Sequence, residues 1–143
     1  MSIAAVNAAR SWISESDPDS HHADLWLRNA RIVVLPVGHK WCAVKVPSGP
    51  GTAAVRAGLN GPAILEPRRF VYFPVPLGTD ESWLVPGTDC LGEGNFLGVP
   101  GPTFTCGPGV YWLTRPTGSP SGSLSGALVD PDELRAALAS PCL

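Results

Sequence analysis

Two apolar, β-branched runs, RIVVLPV (31–37) and WCAVKVP (41–47), stand only three residues apart, with Gly38-His39-Lys40 between them. Runs of this length and composition, bounded by turn residues, read as strands. The segment is either a hairpin or two successive strands, and the fold must be built around a sheet. Sixteen glycines and sixteen prolines among 143 residues cut the rest of the chain into short elements joined by many turns. PAIL (62–65) and RFVYFPVP (69–76), around the turn Glu66-Pro67-Arg68, supply two more strands. CLGEGNFLGVP (90–100) and VYWL (110–113) bring the expectation to about six.

Helical signals flank this sheet core. Ser2 can cap a first helix running to about Ile13, with Ile3, Val6, Ala9 and Ile13 along one stripe. After the break at SESDPDSHH, a short helix from about Ala23 to Asn29 carries Leu25, Trp26 and Leu27. The segment 48–59 reads as a helix with Pro50 in its first turn and Gly58 near its end. TGSPSGSLSG (117–126) has no apolar periodicity and reads as a flexible linker. Asp130-Pro131-Asp132-Glu133 then places a capping Asp, a Pro at the first helical position and a Glu at the third. Leu134, Ala137 and Leu138 form the apolar face of that C-terminal helix.

These elements predict an α+β fold: a mainly antiparallel or mixed sheet of about six strands with N-terminal and C-terminal helices. A chain of this length fits one domain and can bury about 68–70% of the surface its unfolded form exposes. The expected organisation is a single domain over 1–143, with a helical segment at 1–30, a sheet core at 31–116, a linker at 117–127 and a helix at 128–140.

Composition excludes several function classes. An apolar fraction of 44% and a charged fraction of 15% lie far from the disordered regime. Net charge is −2, and between residues 40 and 115 Lys40, Lys45, Arg56, Arg68, Arg69 and Arg115 barely outnumber Glu66, Asp80, Glu81, Asp89 and Glu93. That balance falls short of a nucleic-acid footprint unless the fold gathers the cations. No stretch approaches the about 20 apolar residues of a membrane span. The N-terminus lacks a basic region followed by a continuous apolar run. The reading is a cytoplasmic protein with no membrane partner. Cys42, Cys90, Cys106 and Cys142 are widely spaced without a C-x-x-C pair, so they signal neither a zinc site nor a redox motif.

No complete catalytic constellation emerges. Asp17, Asp19, His21, His22 and Asp24 are the densest group of metal-ligand types, but adjacent histidines point in different directions, and the reading is a solvated inter-helix loop in which Ser20 or Asp19 caps the next helix. His39 lies three residues from Cys42, with no third group to orient a nucleophile. GSLSG (122–126) has Leu124 where a nucleophile elbow needs serine. Gly92-Glu93-Gly94 leads toward a strand, not a helix, so its glycines serve a turn and not a dinucleotide loop. Five tryptophans, Trp12, Trp26, Trp41, Trp83 and Trp112, are expected mainly as core or rim anchors.

From residue 31 onward the order VLPVG, AVKVP, GPAIL, VYFPVPLGT, W-x-x-PGT, CLGEGNFLGVP, PGVYW and DP before a helix resembles a set of small, mostly uncharacterised proteins common in Streptomyces and related actinobacteria. The resemblance covers about residues 28–139 and brings no activity with it. A more distant similarity reaches the N-terminal domain of bifunctional DNA primase-polymerases. In that family a strand with a pair of acids precedes a G-x-H-x-Y-F strand and an Asp-x-Arg-x-Gly-Gly segment ending in Val-x-x-Pro. This chain offers Arg68-Arg69-Phe70-Val71-Tyr72-Phe73 for the second element. For the third it offers Asp89-Cys90-Leu91-Gly92-Glu93-Gly94 through Val99-Pro100.

The departures from that pattern are specific. Ala63-Ile64-Leu65-Glu66 supplies at most one acid where a pair is expected, Phe70 stands in the histidine position and Leu91 in the arginine position. Two-metal nucleotidyl transfer needs carboxylates that hold two cations about 4 Å apart. The resemblance therefore implies a retained scaffold with lost polymerase chemistry: a non-catalytic binding or regulatory domain for a protein, nucleic acid or nucleotide. Asp89 and Glu66 are the remaining catalytic candidates, and Arg69, Tyr72, Glu93 and Lys45 the binding candidates. A divalent metal is implied only if the primase-like activity persists. The alternatives are an enzyme with a reduced metal site and a structural or assembly protein using a Trp-rich surface.

Overall fold

The computed structural model of the chain describes residue 13 and residues 31–114 and 128–139. The chain is α+β. Strand β1 (Ile32–Pro36) pairs with β6 (Phe96–Pro100) as an antiparallel ribbon. Five further strands form a second sheet in the order β5 (Asp89–Leu91), β2 (Cys42–Pro47), β4 (Phe70–Val75), β3 (Ala63–Glu66), β7 (Tyr111–Thr114), each antiparallel to its neighbours.

The first two runs are thus successive strands in different sheets, not a hairpin. Their burial patterns explain the separation. In β1 buried Val33 and Leu35 alternate with exposed Val34, the pattern of a strand with one face in the core. Strand β2 buries Cys42, Ala43, Val44 and Val46, so both its faces need cover and it takes a place inside the larger sheet. The chain leaves β1 through a tight turn in which the Gly38 amide donates to the Trp41 carbonyl, 2.7 Å. Gly38 has φ +84°, and a Cβ there would run into the backbone of Glu93. Glycine is required where these two loops cross.

The run 90–100, read as one strand, divides into β5 and β6. Asn95 turns the chain between them: its amide and its side-chain Nδ2 both donate to the Gly92 carbonyl, at 3.2 and 3.1 Å. The glycines there serve a turn, as their spacing implied. The described residues form seven strands where about six were expected.

The five-stranded sheet lies between two layers. On one face Cys42, Val44, Val46, Val71, Phe73 and Val75 pack with Ala54 of helix α1 (Ser48–Arg56) and Leu134 of helix α3 (Pro131–Ala139). On the other face Ala43, Ile64 and Trp112 pack with Val33, Leu35, Leu97 and Val99 of the ribbon and with Ile13. Trp112 Nε1 donates to the Pro100 carbonyl, 2.9 Å, which ties β7 to the ribbon. Ile13 joins this core, as its apolar stripe predicts. The rest of the first helix, the helix at 23–29, the Asp17–Asp24 group, GSLSG, the linker and Cys142 lie outside the described residues.

Both helix ends read from the sequence are built as their residues dictate. Gly58, φ +98°, follows the last turn of α1; its amide donates to the Val55 carbonyl and that of Leu59 to the Ala54 carbonyl, at 3.1 and 3.4 Å. This is the Schellman arrangement that a left-handed residue permits. At α3, Asp130 Oδ1 accepts from the amides of Asp132 (2.8 Å) and Glu133 (3.4 Å). The Val129 amide donates to the Pro74 carbonyl, 2.8 Å, anchoring this segment to β4. No sequence signal marks the one-turn helix α2 (Thr79–Ser82), since four residues carry no periodicity.

Leu134 is the fully buried residue of α3. Leu134→Ala removes a core side chain and leaves a cavity, and should lower unfolding stability by about 2–5 kcal/mol in a denaturant titration.

Candidate functional site

Strand register determines which candidate residues meet. Residues directly paired across antiparallel strands share a face, as do residues two apart along a strand. Asp89 pairs with Lys45, Lys45 with Tyr72, and Tyr72 with Ile64, forming one row across β5, β2, β4 and β3. The next row holds Pro47, Phe70 and Glu66. All lie on the ribbon-side face, toward the end of the sheet where β2 stops and the β3–β4 turn begins.

Side-chain contacts organise this end. Tyr72 donates its hydroxyl proton to Glu66 Oε2, 3.0 Å, and Arg69 Nη1 lies 3.2 Å from Glu66 Oε1. The Lys45 ammonium sits 4.1 Å from the centroid of the Phe70 ring, a cation–π contact. The rings of Phe70 and Tyr72 are tilted neighbours with centroids 6.3 Å apart. Glu66 is therefore a structural acceptor, held between a phenol and a guanidinium. Burial, and then the Glu66 carboxylate, push the Tyr72 phenol up from 10.0 to about 12.

Lys45, Glu66, Arg69 and Tyr72 thus converge, with Asp89 at the margin. Glu93 does not join them. It belongs to the turn against Gly38 at the opposite end of β2, beside a groove of about 260 Å³ lined by His39, Asn95 and Phe96.

The carboxylates do not fit a metal pair. Asp89 is exposed on β5, an edge strand, and Glu66 is on β3. Three strand spacings of about 4.8 Å put them about 14 Å apart across the sheet, against the about 4 Å between cations in two-metal chemistry. Among the described residues, no three His, Cys, Asp or Glu side chains gather with metal-site geometry. Leu91, in the arginine position of the primase-like pattern, pairs with Ala43 and packs against the ribbon-side core.

The β3–β4 turn carries a feature that residue types alone did not single out. The Arg69 amide donates to the Glu66 carbonyl, 3.0 Å, closing a four-residue turn with Pro67 at its second position. Arg68, at the third, has φ +68°, and no other described non-glycine residue takes a positive φ. This is the type II pattern, in which the third position favours glycine. The signal was present in Glu66-Pro67-Arg68-Arg69, because a proline at the second position leaves the strained role to the next residue.

A separate cluster lies on the helix-side face. Cys42 Sγ is 3.6 Å from Asp80 Oδ1, and the β2–β5 pairing places Cys90 in the same helix-side core. Cys42 thus faces Asp80 and not the exposed His39, and burial raises its pKa, the reverse of an activated nucleophile. Burial also pushes Cys90 up from 9.0 to about 12, with the Cys42 and Asp80 charges adding to the effect. Sequence spacing gave no hint of this pair, which the β2–β5 pairing creates. Trp41, Trp83 and Trp112 are buried, so they contribute no exposed tryptophan surface.

No family model, no curated protein and no solved structure matches this chain. No helix among the described residues is long and apolar enough to cross a membrane.

The raised thiol and phenol pKa values imply an alkaline limb in stability. The folded state retains these protons where the unfolded chain has lost them, so the contribution is full below the unfolded values and is lost as pH rises through the folded ones. Thermal midpoints should fall steadily between pH 9.0 and about 12. Cys90→Ala should flatten that slope across the whole window, and Tyr72→Phe only above pH 10.0. Unchanged slopes in both variants would contradict the assignment.

Proposed function

We propose that this chain is a non-catalytic, cytoplasmic binding domain of primase-polymerase-like architecture that engages its ligand at the Lys45–Phe70–Tyr72 end of the five-stranded sheet. The observation that carries the reading is the β3–β4 hairpin. The primase-like pattern has glycine where this chain has Arg68, and the backbone at Arg68 takes a left-handed conformation that suits glycine, which supports the resemblance. Two residues on, Phe70 occupies the histidine position and is engaged by the Lys45 ammonium. On this reading the turn suits the glycine of the pattern, while the groups that would contact a nucleotide for chemistry are replaced.

The distribution of acids supports the non-catalytic part of the reading. Asp89 and Glu66 are too far apart to share a cation pair, and both oxygens of Glu66 already have partners. The distribution of cations supports the binding part. Lys45, Arg68 and Arg69 lie at one end, beside two aromatic rings. That arrangement suits a nucleotide or nucleic acid, with cations for phosphates and rings for base stacking.

A second reading, a structural or assembly protein, draws on the outer face of the ribbon. Val34 and Phe96 are 58% and 66% exposed there. A concentration-dependent mass in solution, abolished by Phe96→Ser, would favour it.

The test compares chemistry with binding. The protein should neither synthesise primers nor extend a template with Mg²⁺ or Mn²⁺, yet it should bind a labelled ligand with an affinity that Lys45→Ala or Phe70→Ala lowers by about 5–10-fold, as expected for loss of one about 1–1.4 kcal/mol contact. Robust extension abolished by Asp89→Ala would overturn the non-catalytic reading and restore the enzyme alternative.

A further inference from the structure

The β3–β4 turn needs a positive φ at residue 68, which glycine would supply without strain, and the arginine that stands there makes no contact among the described residues that glycine would lose. At φ +68° the Cβ of an arginine is disfavoured where glycine would sit freely. The side chain is exposed, and its guanidinium has neither a hydrogen-bond nor an ion-pair partner among the described residues. A strained residue where an unstrained one would serve the turn marks a position kept for function.

We infer that Arg68 is a ligand-contacting residue, and that with Arg69 and Lys45 it receives the phosphates of a single-stranded nucleic acid. This rests on the binding reading above and names its ligand class. Arg69 is 70% exposed, and its i,i+3 partner Glu66 is shared with Tyr72, so the pair holds Arg69 only weakly in solvent. Lys45 is steadied over the Phe70 ring, which leaves its N–H donors free to turn outward. Three cations, Lys45, Arg68 and Arg69, face two acids, Glu66 and Asp89, leaving one net positive charge at this end.

The aromatic neighbours decide between polyanions. Phe70 and Tyr72 share the face with Lys45, and partly exposed rings beside cations form a stacking surface for unpaired bases. An acidic peptide would use the cations but has no need of the rings. A duplex keeps its bases stacked on one another and would leave them idle.

The test uses the full chain, a fluorescently labelled oligothymidylate and anisotropy titrations at several salt concentrations. Arg68→Gly should raise the thermal midpoint by about 2–4 °C, because the strain is relieved, while weakening oligonucleotide binding several-fold. It should also reduce the magnitude of the log–log salt slope by about 0.7, the value for one lost single-strand phosphate contact. Arg68→Lys should recover most of the affinity and slope without the gain in thermal midpoint. Wild-type affinity and slope in Arg68→Gly would overturn the inference. If Lys45→Ala or Phe70→Ala then still weakened binding, the binding reading would stand without it. If the wild-type protein bound polyglutamate but no oligonucleotide, the inference would fall and a protein partner would replace it. If it bound neither, both readings would fall.

Discussion

Strand β2 is covered on both faces, and the rest of the structure follows from how that cover is supplied. Cys42, Val44 and Val46 require an apolar layer on one side, which α1 and α3 provide through Ala54 and Leu134. Ala43 and the neighbouring Ile64 and Trp112 require one on the other, which the β1–β6 ribbon provides. Burial of both faces explains why β1 cannot simply fold back as a hairpin partner, since β2 has neighbours on both edges and β1 is needed above it as part of a second layer. At about 25 cal/mol per Å² of apolar surface removed from water, two such interfaces are the dominant favourable contribution to the fold.

The same strand sets the candidate site. The alternation that sends Val44 and Val46 into the helix-side core turns Lys45 to the other face, where it pairs in register with Tyr72 and Asp89. Near the end of the sheet that face is no longer fully buried, and polar groups appear there in an ordered arrangement. Glu66 ties Tyr72 to Arg69, and Lys45 rests on Phe70. The acids that a metal-dependent reaction would need stand on an edge strand and three strands away. What remains is a surface of cations and rings around a strained turn, suited to recognition and unsuited to two-metal chemistry.

Local physics was legible in the sequence, and non-local pairing was not. The caps at Asp130 and Gly58, the turn at Glu66–Arg69 and the strand character of the β-branched runs are decided within a few residues, and the structure has them. The partner of β1 is β6, sixty or more residues away, and nothing in either run specifies that pairing against the nearer alternatives. The division of 90–100 between two sheets is not legible in the sequence, because an apolar run with glycines reads alike whether it is bent or straight. The grouping of Asp89 with Glu66 came from family resemblance, which carries order along the chain but not distance across a sheet. Lys45, Arg69 and Tyr72 are legible as candidates from residue type; Arg68 is legible only through the turn, because its significance lies in the backbone angle that Pro67 leaves to it.

The central claim is that ligand recognition takes place at the β2–β4 end of the sheet on its ribbon-side face. The most direct measurement is an amide chemical-shift map of this chain titrated with a single-stranded oligonucleotide. The account predicts perturbations concentrated at Lys45, Ser48, Arg68, Arg69, Phe70 and Tyr72, with little change at Gly92–Phe96. Perturbations centred on the His39–Glu93 groove or on the outer face of the ribbon, with the β3–β4 turn unmoved, would contradict it.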